Sequence, residues 1–441
     1  MAATPLDSAL YRDFLGDAEL GRLFTDTAEI RAMLIALGAM AKVQGELGLI
    51  PETVGLAIHR ASLEVQIDPA ALAAATGENA VPVPGLVAAF RQAMQAPEHA
   101  AFAHWGATSQ DIMETGLALR LRQALAILEA RIGAVLAGLG ALAETHAELP
   151  MAARTYGQVA VPTSFGAVVA SWGLPLLDLR EDLARLKPRV VAVSLAGAAG
   201  TLSAMGDAGP EVRAGLARAL DLADPGGSRH ATRHGPAGLA AWLTQVAASL
   251  GKMGEDLILM TQSGIGEVVP GSSGASSTMP QKANPVLPSL LSALARQVAG
   301  LNGVMQAAAL HRQQRDAAVW ITEWLTLPQM LICTGRALAA AEGLAATLAP
   351  RPERMAALLD DGTGAIFAEA LSFALAARMP RPEAQAKVKA LVGEALRSGA
   401  HLRDLALREF PDLDPGLFDP RKAMGQAPGE ARAFAAAVRM V

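Results

Sequence analysis

Ser276-Ser277-Thr278-Met279-Pro280-Gln281-Lys282-Ala283-Asn284-Pro285 sits in a loop opened by Gly271 and Gly274 and followed by a helix-patterned apolar stretch. Glycine and serine hold such a segment in no single conformation, and its two prolines keep helix out of it. The serine pair begins six residues ahead of Lys282. A serine hydroxyl works as an acid or base only when its alkoxide is stabilised, and a lysine ammonium beside a helix start can do that. By composition alone the stretch reads as a Gly/Ser connector. The ordered pattern Ser-Ser-x-Met-Pro-x-Lys-x-Asn-Pro points instead to chemistry.

Outward from this loop the chain reads as helix. Leu121, Leu125, Leu128, Ile132, Val135, Leu139 and Leu142 recur in steps of four and three, which predicts a helix from about Asp111 to Ala147. At 1.5 Å per residue it would be roughly 55 Å long. Trp242, Val246, Leu250, Met253, Leu257 and Met260 form a second stripe, and Val286, Leu290, Leu294, Val298 and Leu301 a third. A fourth apolar helix is expected after Pro162, a residue suited to a first helical turn. Strand-like alternation between hairpin turns is nowhere comparably strong. The expectation is all-α, with a bundle of long helices over residues 111–350. Shorter helices, separated by Pro51, Pro69, Pro82, Pro84 and Pro97, fill residues 1–110, and a C-terminal helical domain over 351–441 begins after Pro350-Arg351-Pro352.

The 441 residues are 52% hydrophobic and 18% charged, enough to bury a large core. A net charge of -5, without a basic run interleaved with aromatics, argues against nucleic acid as a partner. One cysteine, Cys333, excludes an intramolecular disulfide and suits a reducing cytoplasm. Met1 to Leu20 carries Asp7, Arg12, Asp13, Asp17 and Glu19 and does not read as a signal peptide. Thr155 to Leu177 is uncharged but interrupted by polar residues and prolines, so a helix buried in protein is expected rather than a membrane span.

The signature loop resembles that of the fumarase/aspartase superfamily, which includes argininosuccinate lyase, adenylosuccinate lyase and 3-carboxy-cis,cis-muconate cycloisomerase. His104-Trp-Gly-Ala-Thr-Ser-Gln-Asp111 and Arg154-Thr-Tyr-Gly-Gln-Val-Ala-Val-Pro162 stand where the superfamily has its other signature regions. The resemblance implies a three-domain helical fold, a homotetramer with active sites shared between subunits, a small polycarboxylate substrate and no cofactor. By position, it assigns proton transfer to Ser276 and carboxylate binding to Lys282 and Asn284. Ala275 stands where the superfamily usually has glycine.

The remaining candidates follow from residue chemistry together with that resemblance. Thr108, Ser109 and Gln110 precede the long helix, where free N–H groups and hydroxyls suit a carboxylate, although Ser109 or Asp111 could simply cap it. Arg154, Tyr156 and Gln158 belong to the second motif. Arg315 would clamp a carboxylate with its planar fork. For His104, substrate contact and a core position satisfied by a backbone carbonyl are both open. His230 and His234 have a metal-like spacing, but Ala231 replaces the glutamate of HExxH and Arg229 and Arg233 repel a cation, so no metal is expected.

In fumarases and adenylosuccinate lyases a histidine at the position of Tyr156 pairs with a glutamate at that of Ser289, and together they act as an acid. Both are missing here. Amine and hydroxide leaving groups need a general acid; a carboxylate leaves unaided, its reference pKa being about 4. The reading is therefore a cycloisomerase that interconverts a carboxymuconate and its lactone, and Gln313-Gln-Arg-Asp-Ala-Ala-Val-Trp320 also resembles a cycloisomerase segment. Rival readings are an adenylosuccinate- or argininosuccinate-type lyase, with Tyr156 as acid, and a non-catalytic helical protein.

Overall fold

The apolar stripes fold as helices whose seams face inward. The structure is a computed structural model describing residues 4–271, 274–275, 279 and 282–440. Its principal helices are α1 (Asp26–Glu46), α2 (Ser109–Thr145), α3 (Phe165–Val190), α4 (His234–Met260), α5 (Val286–Ala307) and α6 (Ala317–Thr347). In α2, Leu121, Leu125, Leu128, Ile132, Val135 and Leu139 are all buried, as is the whole Trp242 to Met260 stripe of α4. Burying apolar area at about 25 cal/mol per Å² is what holds such helices, since helix propensity alone contributes little. Pro162 opens no helix: it lies in a strand, and α3 starts three residues later at Phe165.

Two compact units are present, and the chain passes between them inside helices. One comprises Met1–Arg131, Leu179–Ala248 and Leu294–Ala337; the other comprises Ile132–Asp178, Ser249–Ala293 and Leu338–Val441. In the first, α1 is capped by Thr25, whose hydroxyl accepts from the Ala28 N–H, and buries Met33, Leu34, Leu37 and Met40 in a core shared with Ile58, Phe90, Ile112 and Leu216. In the second, α4 and α5 approach closely at Gly254, where a Cβ would stand 2.6 Å from the Pro288 carbonyl oxygen. Trp172 is buried there too and donates to Asp256 at 2.7 Å. A separate core of this unit gathers Leu371, Leu391, Leu402 and Phe418.

The strands are short and paired in twos among the described residues. β1 (Pro150–Thr155) and β2 (Gln158–Ser164) form an antiparallel hairpin that the sequence pattern did not announce. Its tip, Tyr156-Gly157, has φ of +54° and +75°, the mirror-image turn that matches strand twist. β3 (Val268–Val269) pairs with β6 (Ala349–Pro350), and β4 (Gly274–Ala275) pairs with β5 (Ala283–Asn284). This last pair ties together the two ends of the signature loop.

Candidate active site

In the first unit, the start of α2 is built around the carboxylate of Asp111. It is fully buried and accepts from the N–H groups of Thr108 (3.0 Å), Ala196 (2.9 Å) and Gly197 (3.0 Å), and it meets His230 Nε2 at 2.8 Å. The Thr108 contact is half of a capping box, so Asp111 performs the capping that the sequence left open between it and Ser109. Thr108 and Ser109 are half-buried, and among the described residues their hydroxyls make no hydrogen bond, which leaves them available at the helix start. One turn on, the Thr115 hydroxyl accepts from the Ser194 N–H and donates to its carbonyl, fixing residues 194–197 against the helix. Gly197 sits at φ +74°, a conformation that favours glycine.

Gln110 links this frame to Arg315. Its amide nitrogen donates to Glu114 (2.8 Å) and to the His230 carbonyl (3.1 Å), while its oxygen accepts from Arg315 Nε at 2.7 Å. Arg315 also donates to the Ala198 carbonyl at 3.1 Å and lies 3.5 Å from His230 Nδ1. With Nε2 donating to Asp111, Nδ1 is left as the acceptor side of the ring. Thr108, Gln110 and Arg315 are thus brought together, and the Asp111–His230 pair that orients them was missed in the sequence. The two residues are 119 positions apart, and nothing in their spacing marks them as partners. Behind them, Arg233 is held between Glu114 (2.7 Å) and Glu323 (2.8 Å). Burial opposes the Arg233 charge, but the two carboxylates outweigh it and hold the guanidinium protonated.

His104 is inside this unit in a left-handed conformation, φ +67°. Burial, with Arg91, lowers its pKa against the opposing pull of the Thr108 backbone and Asp111, so the ring is neutral near neutral pH. Its Nε2 is buried without a hydrogen-bond partner among the described residues. That open nitrogen fits a ligand contact and leaves the core reading only half satisfied.

The second unit carries the other candidates on two elements. Lys282 is exposed and its N–H donates to the Met279 carbonyl at 3.0 Å; Asn284 is half-buried in β5, paired with Gly274. Ser276 follows β4 directly and lies outside the described residues. On the hairpin, Arg154 forks onto the buried Glu267 at 2.9 and 3.0 Å, so its planar face is engaged within this unit. Tyr156 is 104% exposed at the hairpin tip and Gln158 is exposed beside it. Among the described residues no group of three or more His, Cys, Asp and Glu side chains is placed to hold a metal.

Residues 22–300 match the family model described as lyase. The chain belongs to the fumarase/aspartase lyase family. Among its relatives in that family, a 3-carboxy-cis,cis-muconate cycloisomerase of Pseudomonas aeruginosa is 35% identical, over 95% of this chain and 94% of that one. A nitrosuccinate lyase of Streptomyces davaonensis is 32% identical over 97% and 94%. The crystal structure of the 3-carboxy-cis,cis-muconate lactonizing enzyme from Pseudomonas putida superimposes with a TM-score of 0.91 at 32% identity, covering 98% of this chain and 99% of that one. The all-α lyase-family fold expected from the signature loop is the one present.

Proposed function

We propose that the protein is a cofactor-free cycloisomerase that interconverts 3-carboxy-cis,cis-muconate and a carboxymuconolactone in aromatic-compound degradation. Likeness to cycloisomerases over nearly the whole chain supports this reading. The observation that carries it at the site is the missing acid pair: an exposed tyrosine at the hairpin tip stands at the acid position, and a carboxylate leaving group needs no general acid. In the closing direction one substrate carboxylate adds to the conjugated double bond, forming the lactone C–O bond. The electron pair moves to the carbon beside another carboxylate, and Ser276 delivers a proton there. Lys282 and Asn284 stabilise the doubly charged intermediate, the larger part of the barrier in such a step. Thr108, Ser109 and Arg315 bind the remaining carboxylates, with His104, Gln110, Arg154, Tyr156 and Gln158 lining the substrate.

The reading includes a cytoplasmic homotetramer with each site assembled from several subunits. An 18-residue apolar window of α2, long enough to cross a membrane by composition, is only 39% buried within one chain. Leu174, Leu259, Val304 and Leu325 are exposed on α3 to α6. Exposed apolar residues on packed helices are what self-association covers. The decisive experiment offers the purified protein carboxymuconate, nitrosuccinate, argininosuccinate and adenylosuccinate. Turnover of carboxymuconate is expected; cleavage of a succinyl adduct with carboxymuconate untouched contradicts the proposal.

A further inference from the structure

Arg120 is a residue of the first unit whose placement the catalytic reading does not explain. Its side chain is 9% exposed on α2, yet the guanidinium makes no hydrogen bond among the described residues, and Nε is buried without a partner. Its nearest carboxylate, Glu29, stands 3.6 Å away and is itself 34% exposed, and the Phe24 ring lies 5.7 Å from the guanidinium carbon. Burial lowers the Arg120 pKa and Glu29 only partly offsets that. A guanidinium has five N–H donors, and native interiors leave few such groups unsatisfied. Some acceptor belongs beside it.

The space for one is present. Arg120 faces a cavity of about 200 Å³ between the start of α1, the first turns of α2 and the N-terminal half of α6. Met113 and Leu117 line it from α2, at spacings that put them on the Arg120 face. Trp320 and Trp324 line it from α6, their rings edge-to-face at 4.6 Å. The other two carboxylates at its wall, Glu114 and Glu323, are already bound by Arg233, so Arg120 is the group with donors to offer. An apolar cavity of about 150 Å³ is enough to hold benzene. Aromatic walls with one unsatisfied arginine fork match a flat apolar body that bears a carboxylate.

We propose that this cavity is a binding site for a small aromatic carboxylate, its ring held between the tryptophan pair and Met113 and its carboxylate on Arg120. None of the proposed catalytic or substrate-binding residues lines the cavity, although Glu114 of its wall accepts from Gln110, and the inference does not depend on the assigned reaction. Calorimetric titration of the full-length protein with benzoate, and with benzyl alcohol as the uncharged counterpart, tests it. Benzoate is expected to saturate at one per chain and benzyl alcohol to bind about tenfold or more weakly. Arg120→Met should weaken benzoate by a similar factor, and Leu117→Trp, which fills the space while keeping the arginine, should abolish it.

Without ligand, Arg120→Met should melt no lower than wild type, because it removes a buried charge that makes no hydrogen bond among the described residues and whose desolvation Glu29 only partly offsets. A large drop in melting temperature would reveal a protein partner for Arg120 and overturn the inference. So would no heat at millimolar benzoate, meaning that water alone satisfies the arginine. Binding that survives Arg120→Met but is lost in Lys282→Met or Arg315→Met would place benzoate at the catalytic residues and likewise overturn it.

Discussion

At the scale of single residues, the proposed role of Arg315 depends on what holds it. Gln110, the Ala198 carbonyl and His230 fix the guanidinium, and Asp111 fixes His230. A point charge on a flexible stem cannot use that frame, so Arg315→Lys should raise KM for the tricarboxylate by about tenfold or more. Steady-state kinetics check it, and an unchanged KM would remove Arg315 from the substrate. Short local patterns in the sequence single out Arg315, Gln110 and Thr108 as candidates. The sequence hid Asp111 as an organiser and His230 as its partner, offering His230 only for its metal-like spacing with His234, because a buried pair between distant segments leaves no local spacing to read.

At the scale of elements, the hairpin β1–β2 shows where sequence pattern fails. The long stripes of α2 and α4 repeat often enough to identify themselves, whereas the short ribbon from Pro150 to Ser164, with prolines at 150 and 162, gives no clean alternation. What anchors the ribbon is Arg154 on Glu267, a carboxylate with no solvent exposure. Removing one partner leaves a buried charge alone, so Arg154→Met should cost about 3 kcal/mol in denaturant unfolding. Adding Glu267→Gln should recover much of that loss. Equal losses in the single and double variants would show that the pair does not anchor the ribbon.

At the scale of the whole molecule, the helical fold was legible because its seams are long, while the candidate site residues lie on elements that no stretch of sequence joins. The proposed tetramer belongs to this scale, and size-exclusion chromatography with light scattering should return four chains per particle; a monomer would contradict the proposal of sites shared between subunits. Stability against acid is also a property of the whole. Burial pushes the Asp224 pKa up, but Arg213 and the Gly226 N–H outweigh it and hold the carboxylate below its ordinary 3.8. The depressed value means that its contribution is full above about pH 4 and is lost as pH falls through the folded pKa. Asp224→Asn should therefore be less stable than wild type at pH 7, and the two should converge in acid. A gap that persists at pH 2 would show that the contribution is not ionic.

In the proposed reaction, the hydroxyl of Ser276 gives its proton to a carbon beside a carboxylate. Comparing turnover of 3-carboxy-cis,cis-muconate by Ser276→Ala and by wild type, at saturating substrate, tests that most directly. The predicted result is a loss in kcat of roughly 10²–10⁴-fold with the substrate still bound. A Ser276→Ala protein that closes the lactone at the wild-type rate would contradict it.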